Sequence, residues 1–164
     1  MKMLHTERLM LSPLEETEYA FIIELLNTEG WIKFIGERNI RTKEDAVAYI
    51  QKVNNNPAIH YYTVKEKGSR VPVGLVTLIQ RDYLTQPDIG FAFLPVHFGK
   101  GYAYEAAREL LNDVWADEQT RQVHAVTLPH NNPSIRLVEK LGLVFDKPIE
   151  VNKETLHLYT ITKT

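Results

Sequence analysis

The chain contains no cysteine, no long apolar run and no large excess of charge of one sign. Without cysteine it can form neither a disulfide nor a thiolate nucleophile, and no metal site can use thiolate ligands. No apolar run approaches the ~20 residues that span a membrane. The first residues show no apolar signal segment. These absences predict a cytoplasmic protein with no membrane partner.

The charges are nearly balanced, with 19 Lys and Arg residues against 21 Asp and Glu residues. No dense Lys/Arg run provides the basic field that follows a nucleic-acid backbone, so we expect no nucleic-acid partner. The six histidines lack the spacing of a metal site, so we expect no metal. The composition is that of a globular protein, and 164 residues predict one domain, 1–164, rather than two.

A short glycine-containing loop joins a predicted strand, 89–94, to a predicted helix that begins near Ala103. The helix is indicated by apolar residues at helical spacing: Ala106, Ala107, Leu110, Leu111, Val114 and Trp115. The free N–H groups of a first helical turn and the helix dipole both favour a phosphate at such a position. Gly99 and Gly101 would let a ligand approach the backbone closely.

The amino-acid sequence of this loop excludes two common phosphate-binding motifs. A Walker loop needs Gly-Lys-Ser/Thr four residues after a first Gly, and that pattern is absent. Of the dinucleotide fingerprint, only Gly99-Lys100-Gly101 is present. By itself the loop indicates either a site for an unidentified phosphate ligand or an ordinary turn between a strand and a helix.

The remaining pattern predicts a mixed α/β architecture with a largely antiparallel sheet and one central crossover helix. The predicted strands cover 8–13, 59–65, 71–80, 89–94, 123–128, 144–151 and 156–162, and the predicted helices 19–26, 42–53, 103–115 and 132–141. Residues 31–36 are unusually apolar for a connection and predict a core-packing turn or, alternatively, a substrate-pocket wall. Asn132 suits the N-cap of the last helix.

Two segments, in this order, resemble the acetyl-CoA motifs of the GNAT superfamily of N-acetyltransferases. The first comprises Asp88-Ile89-Gly90-Phe91 and 99–106, and the second runs from Asn131 to Leu143. The opening strand, 6–14, is similar to that of the ribosomal-protein N-terminal (serine/alanine) acetyltransferase branch. The resemblance covers nearly the whole chain. It implies a GNAT fold with a sheet of about seven strands, splayed at its centre, and about four helices.

The resemblance also implies acetyl-CoA as the donor, an amine as the acceptor and direct transfer without a covalent intermediate. The pyrophosphate would lie on the backbone amides of 98–103, and the pantetheine would pair with the strand 91–94. Asn131 would hydrogen-bond the pantetheine. The implied donor-binding residues are Phe91, Phe93, Leu94, Phe98, Gly99, Lys100, Gly101, Tyr102, Ala103 and Asn131.

Two residues depart from the family pattern. Phe98 stands where the family loop usually has Arg or Gln, which matters little if the contacts are made by the backbone. Val138 stands where many relatives have a Tyr that protonates the leaving thiolate. Ser134 is the alternative acid that the resemblance to the ribosomal-protein branch suggests. A purely local hydrogen bond in the first helical turn is the other interpretation of Ser134.

The reaction also requires a group that accepts a proton, because an alkylamine with a pKa near ~10 is mostly charged at neutral pH. Asp88 is the best-placed carboxylate, although a carboxylate at a strand entry has no necessary role in catalysis. His60 and His130 are weaker alternatives, and Glu105 suits the helix dipole. A backbone N–H near Phe93 would polarise the thioester carbonyl.

The acceptor-binding candidates are Trp31, Phe34 and Tyr83, with Glu37 nearby. They do not distinguish a peptide N-terminus from a polyamine, an amino acid or an antibiotic amine. Because Val138 replaces the usual Tyr, a non-catalytic acyl-CoA-binding sensor or scaffold is an alternative. A second alternative is an enzyme that acts on a different phosphate-bearing ligand. The sequence is compatible with a monomer or with a homodimer formed through the last strands.

Overall fold

The computed structural model describes residues 1–164 and contains eight strands: β1 (Leu4–His5), β2 (Leu9–Pro13), β3 (Ile59–Glu66), β4 (Pro72–Ile79), β5 (Asp88–Phe93), β6 (Gln122–Thr127), β7 (Val144–Val151) and β8 (Glu154–Thr162). They form one sheet in the order β1-β2-β3-β4-β5-β6-β8-β7. Only β5 and β6 pair in parallel, and the other neighbours are antiparallel. The predicted mixed sheet is confirmed, with the short β1 as an additional strand.

Five helices accompany the sheet: α1 (Tyr19–Leu26), α2 (Glu29–Phe34), α3 (Lys43–Asn54), α4 (Tyr102–Trp115) and α5 (Asn132–Lys140). Four of them were predicted, and α2 replaces the predicted turn. Thr28 caps the start of α2 by accepting a hydrogen bond from the Trp31 N–H, and Gly36, with φ of 127°, follows its end. A helix of six residues is too short to show a helical period in the sequence. None of the helices has the length and apolar character needed to cross a bilayer.

The N-cap of α5 is Asn131, one residue earlier than predicted. Its side-chain oxygen accepts a hydrogen bond from the Ser134 N–H at 3.4 Å, which is the usual reach from an N-cap to the third helical residue. Pro133 lies in the first turn, where its missing N–H costs nothing. Gly142, with φ of 103°, takes the left-handed conformation that ends the helix.

Two hydrophobic clusters sandwich the sheet. One lies under α4 and α5 and includes Leu110, Val123 and Val138, and the other lies under α1 and α3 and includes Ile22 and Ile50. Successive strand residues point to opposite faces. β5 therefore contributes its odd-numbered residues to the first cluster, while Ala92 packs against the second.

β5 and β6 separate at the centre of the sheet. They share one pairing position, Asp88 opposite His124, where the His124 N–H donates to the Pro87 carbonyl at 2.8 Å. β6 pairs with β8 along its whole length, from Gln122 to Thr127. The gap thus opens from Asp88 and His124 toward the carboxyl ends of both strands, and the predicted splay is confirmed.

Candidate active site

The loop between β5 and α4 presents a continuous row of free backbone amides. Gly99 and Gly101 have φ values of 82° and 79°, in the left-handed region that favours glycine. The N–H groups of the six residues 99–104 donate to no acceptor within the chain. Such a row at the start of a 14-residue helix has the geometry and the dipole that favour an anion.

The prediction placed this row one residue too early. The Phe98 N–H donates to the Pro95 carbonyl at 3.0 Å, because a 3-10 turn covers Pro95–His97. The Phe98 amide is therefore occupied, while its side chain is exposed. The Tyr104 amide replaces it at the other end of the row.

Side chains around the loop fix its position. The Tyr102 hydroxyl donates to Glu66 Oε2 at 2.7 Å, which ties the first turn of α4 to the end of β3. Lys100 is exposed, and its Nζ lies 3.1 Å from Nδ1 of His97. The Lys100 ammonium also lies 5.6 Å from the centre of the Tyr102 ring.

One edge of β5 faces the gap. The Leu94 N–H donates to the Val73 carbonyl on β4 at 2.9 Å. Backbone groups alternate in direction along a strand. The N–H and C=O groups of Phe91 and Phe93 therefore point away from β4 and toward β6. The Leu94 carbonyl also accepts from the His97 N–H and its side chain is buried in the second cluster, so the backbone groups and side chain of Leu94 are already engaged within the chain.

Gly90 lies on the face of β5 opposite to that of Phe91 and Phe93. A Cβ at this position would lie 2.7 Å from Oγ1 of Thr77. The missing side chain of Gly90 therefore accommodates Thr77, and the space is already filled.

Asp88 lies at the point where the gap begins, and only 4% of the residue is exposed. Arg81 Nε donates to its Oδ2 at 2.6 Å. The backbone amide of Val126, on β6 across the gap, also favours the ionised carboxylate. Burial raises the pKa of Asp88 to about 6, although Arg81 and Val126 both favour the ionised form.

The residues predicted at the start of α5 are present near the end of β6. The Ser134 side chain is half-buried and makes no hydrogen bond within the chain, so the purely local role is not observed. Asn131 uses its Oδ1 as the helix cap and leaves Nδ2 without a partner in the chain. Val138, 1% exposed, is part of the first core cluster.

The three acceptor-binding candidates differ in their surroundings. The Phe34 ring lies 5.7 Å from the His130 ring and so connects α2 with the segment after β6. Tyr83 is exposed in the loop before β5, and partial burial raises the pKa of its hydroxyl. Trp31 is 6% exposed and packs in the second core cluster, as the core-packing alternative for this segment expects.

The sequence reasoning missed two residues at the point where the gap begins. Arg81 lies in the loop before β5, and only its closeness to Asp88 in the sequence could have indicated the ion pair. His124 lies opposite Asp88 across the two strands, and its Nδ1 is 2.9 Å from Thr160 Oγ1. Burial lowers the pKa of His124, so the imidazole is neutral at neutral pH.

The row of free amides at 99–104 follows directly on the open edge of β5, at the gap in the splayed sheet. Residues 8–144 match the family model described as an acetyltransferase (GNAT) domain. The chain belongs to the GNAT acetyltransferase family, and the protein is therefore an acetyltransferase.

The relatives agree with this family. YnaD of Bacillus subtilis (strain 168), named an N-acetyltransferase, is 27% identical over 138 residues, which are 84% of this chain and 80% of YnaD. A GNAT-family acetyltransferase of Bacillus anthracis superposes with a TM-score of 0.82 at 25% identity, over 98% of each chain. RimL, a ribosomal L7/L12 α-N-protein acetyltransferase solved with coenzyme A, has a TM-score of 0.83 at 11% identity, over 98% of each chain. The likeness to RimL is one of fold alone.

Proposed function

We propose that the protein transfers an acetyl group from acetyl-CoA to a primary amine, on a protein N-terminus or a small molecule, within a ternary complex. The observation that carries this proposal is the row of free amides at 99–104, which follows directly on the open edge of β5. Acetyl-CoA has the matching shape, with a diphosphate at one end and an extended pantetheine amide chain leading to a reactive thioester. These residues fit that donor.

The donor would be held mainly by backbone groups. The diphosphate would accept hydrogen bonds from the amides of 99–104, with the exposed side chains of Phe98 and Lys100 beside it. The pantetheine amides would pair with Phe91 and Phe93, as an added strand pairs with a sheet edge. The free Nδ2 of Asn131 would provide a further donor from the other side of the gap.

The catalytic steps would use three groups that border the gap. The Phe93 N–H would stabilise the carbonyl oxygen as the amine nitrogen forms its bond to carbon and the C–S bond breaks. Asp88 would accept the proton that leaves the nitrogen, through water, because its carboxyl is ionised above a pKa of about 6. Ser134 would supply a proton to the sulfur and regain one from solvent.

The amine acceptor would enter beside α2, on the side of Phe34 and Tyr83. Phe34 contacts His130 and is half-buried, so it would form a wall, while the exposed Tyr83 lies on the loop that also carries Arg81. A primary amine is the chemistry of the acceptor that the family implies. The ribosomal-protein branch makes a peptide N-terminus the first acceptor to assay.

Donor binding can be measured by thermal unfolding. A ligand at 100 times its Kd stabilises the folded state by about 2.7 kcal/mol. For a chain of this length that corresponds to a rise in Tm of about 5–10 °C. We expect this rise with acetyl-CoA but not with ATP or NAD. An equal rise with ATP would indicate a general phosphate site and would contradict the proposal.

Turnover distinguishes the enzyme from a binding module. The burial of Val138 in the core, where many relatives have a Tyr, favours a non-catalytic acyl-CoA sensor or scaffold as the second possibility. Release of CoA thiol with a panel of amines, only when both substrates are present, supports the enzyme. Tight acetyl-CoA binding without thiol release supports the module, and a trapped acetyl-enzyme excludes direct transfer.

The role of Ser134 can be tested by removing its hydroxyl. We expect Ser134→Ala to lower kcat about 100-fold, the usual scale for losing a general acid, with little change in the KM for acetyl-CoA. Ser134→Thr retains a hydroxyl and should recover part of the activity. If Ser134→Ala keeps the wild-type kcat, water rather than Ser134 protonates the thiolate.

A further inference from the structure

The first turn of α4 is tied to a distant segment through Glu105. Three hydrogen bonds from the turn between β1 and β2 reach its carboxylate. Thr6 Oγ1 donates to Oε2 at 2.5 Å, the Arg8 N–H to Oε2 at 3.0 Å, and Arg8 Nε to Oε1 at 2.7 Å. These bonds join parts of the chain that are almost 100 residues apart.

This carboxylate stands next to a site that should hold an anion. An uncompensated Glu105 in the first helical turn would repel the phosphates that the free amides attract. The Thr6 and Arg8 hydrogen bonds keep the pKa of Glu105 below its ordinary value against the opposing effect of burial. Glu105 is therefore ionised, and its charge is neutralised by Arg8.

The same contact determines where the Arg8 guanidinium lies. Nε is used by Glu105, and the two terminal nitrogens make no hydrogen bond or ion pair within the chain. Nη2 lies 3.4 Å from where a Cβ on Gly101 would stand, and Cζ lies 4.8 Å from the centre of the Tyr102 ring. The terminal nitrogens thus lie beside Gly101 and Tyr102, in the middle of the amide row.

There is space beside this guanidinium for a ligand group. A cleft of about 500 Å³ opens there, between the Thr6–Arg8 segment and the start of α4. Besides Arg8 and Glu105 its lining carries two cations, Arg108 and Lys140, and two carboxylates, Glu7 and Glu109. The Arg8 side chain is 45% exposed, so its free nitrogens are accessible.

We infer that Arg8 binds the diphosphate of the donor and that Glu105 is the positioning residue that aims it. This inference rests on the proposed use of acetyl-CoA. A guanidinium offers paired N–H donors that match phosphate oxygens, which the ammonium of Lys100 does not. Arg8 would supply from the N-terminal segment the guanidinium that the loop itself lacks, since Phe98 begins it. Glu105, whose charge Arg8 neutralises, would touch no donor atom and would aid binding by holding Arg8 in place.

The role of Arg8 can be tested with two acetyl donors that differ in whether they carry the diphosphate. Acetyl-CoA carries the diphosphate, and acetyl-pantetheine has the same thioester without it. Losing one charge-assisted contact with phosphate corresponds to about a 10-fold or greater loss of affinity. We expect Arg8→Gln to lower the ratio of kcat/KM for acetyl-CoA over acetyl-pantetheine by at least about 10-fold. Arg8→Lys, which keeps the charge without the paired donors, should recover part of that ratio.

A double-mutant cycle tests the role of Glu105. Glu105→Gln alone should weaken CoA binding several-fold, because the guanidinium loses its anchor. In the Arg8→Gln background the same substitution should add no further loss, since Glu105 acts through Arg8. Lys2→Ala is the matched control, because Lys2 Nζ lies 3.0 Å from Asp113 Oδ1 and also ties the N-terminal segment to α4, away from the loop.

Several results for these variants would contradict a role of Arg8 in binding the diphosphate. The inference is overturned if Arg8→Gln lowers kcat/KM equally for both donors, if it changes neither, or if Glu105→Gln weakens binding equally in both backgrounds. A similar loss of CoA affinity in Lys2→Ala also overturns it, because general anchoring of the N-terminal segment would then be responsible. If the wild-type protein binds no CoA, the proposed function itself fails; if it does and Arg8→Gln binds equally well, only this inference fails.

Discussion

Replacing Asp88 by Asn is expected to lower kcat by about 100-fold or more, the usual scale for losing a general base. Asn keeps a side-chain oxygen that can still accept the Val126 N–H, but it carries no charge and cannot take up a proton. The affinity for CoA, measured without an acceptor, should change much less than kcat. A kcat within a few-fold of the wild-type value would refute the role of Asp88 as a base.

The same variant should change the pH profile. Since the pKa of Asp88 is raised to about 6, its carboxyl becomes protonated as the pH falls through that value. The wild-type kcat/KM should therefore rise with pH through about 6 and then level off. Asp88→Asn should lack this acidic limb. An unchanged limb in Asp88→Asn would assign it to another group and refute the role of Asp88.

Whereas kcat/KM should rise with pH, the contribution of Asp88 to the free energy of unfolding should fall as the pH rises. A carboxyl whose folded pKa is raised contributes stability that is complete below the unfolded pKa, and this is lost as pH rises through the folded pKa. A shift from 3.8 to about 6 corresponds to about 3 kcal/mol. The free energy of unfolding of the wild type minus that of Asp88→Asn should therefore fall by about this amount between pH 3.5 and 7. Denaturant titrations at several pH values measure it.

Arg81→Gln removes the ion pair with Asp88 but keeps the Asp88 carboxyl, so it complements Asp88→Asn. Arg81 favours the ionised form of Asp88, so its loss should raise the pKa of Asp88 further. The acidic limb of kcat/KM should then move to higher pH, while the plateau value changes less than in Asp88→Asn. A limb that stays in place would show that the Arg81 contact does not control the charge of Asp88.

The parts of the site that were predictable are those that depend on local sequence. Gly99 and Gly101 in front of a helical pattern predict an amide cradle, because a strand, a glycine turn and a helix start impose it. Four helices follow from apolar periodicity, and the α5 cap was misplaced by a single residue. The position of the splay came from the family resemblance, since no local pattern in β5 or β6 encodes a missing ladder.

The parts that were not predictable depend on register and on distant partners. Leu94 was expected to contact the donor, yet its backbone groups bond to Val73 and His97, and only the pairing with β4 determines this. The apolar segment after Gly30 became a helix that buries Trp31, and the sequence could not separate this from a pocket wall. The partners of Asp88, Arg81 and Val126, come from a loop and from a strand that the chain reaches only after α4.

Gly74 is the second position at which we expect a large effect, because it supports β5 from the neighbouring strand. A Cβ at Gly74 would lie 2.5 Å from two atoms of the Phe93 ring and 2.7 Å from the Ala92 carbonyl oxygen. Phe93 is buried in the first cluster, and Ala92 is held in the ladder with β4. Gly74→Ala must therefore displace the strand that presents the Phe93 N–H to the gap.

We expect Gly74→Ala to destabilise the fold by about 1–3 kcal/mol, the range for overpacking a core. That corresponds to a fall in Tm of about 2–12 °C for a chain of this length. Displacing a catalytic group by ~1 Å can cost about 100-fold in rate, so kcat/KM should fall more than the loss of folded protein explains. Gly30→Ala is the control, since a Cβ there meets nothing within 4 Å and its φ is not left-handed.

A second substitution distinguishes the clash from a general weakness of β4. In Gly74→Ala the smaller side chain of Phe93→Leu should make room for the new methyl group and recover part of the Tm. Alone, Phe93→Leu should lower the Tm, because it leaves space in the core. Losses that simply add would show that Gly74 and Phe93 act independently. Recovery of kcat/KM together with the Tm would show that the packing of Gly74 against Phe93 holds the backbone of β5 in its active position.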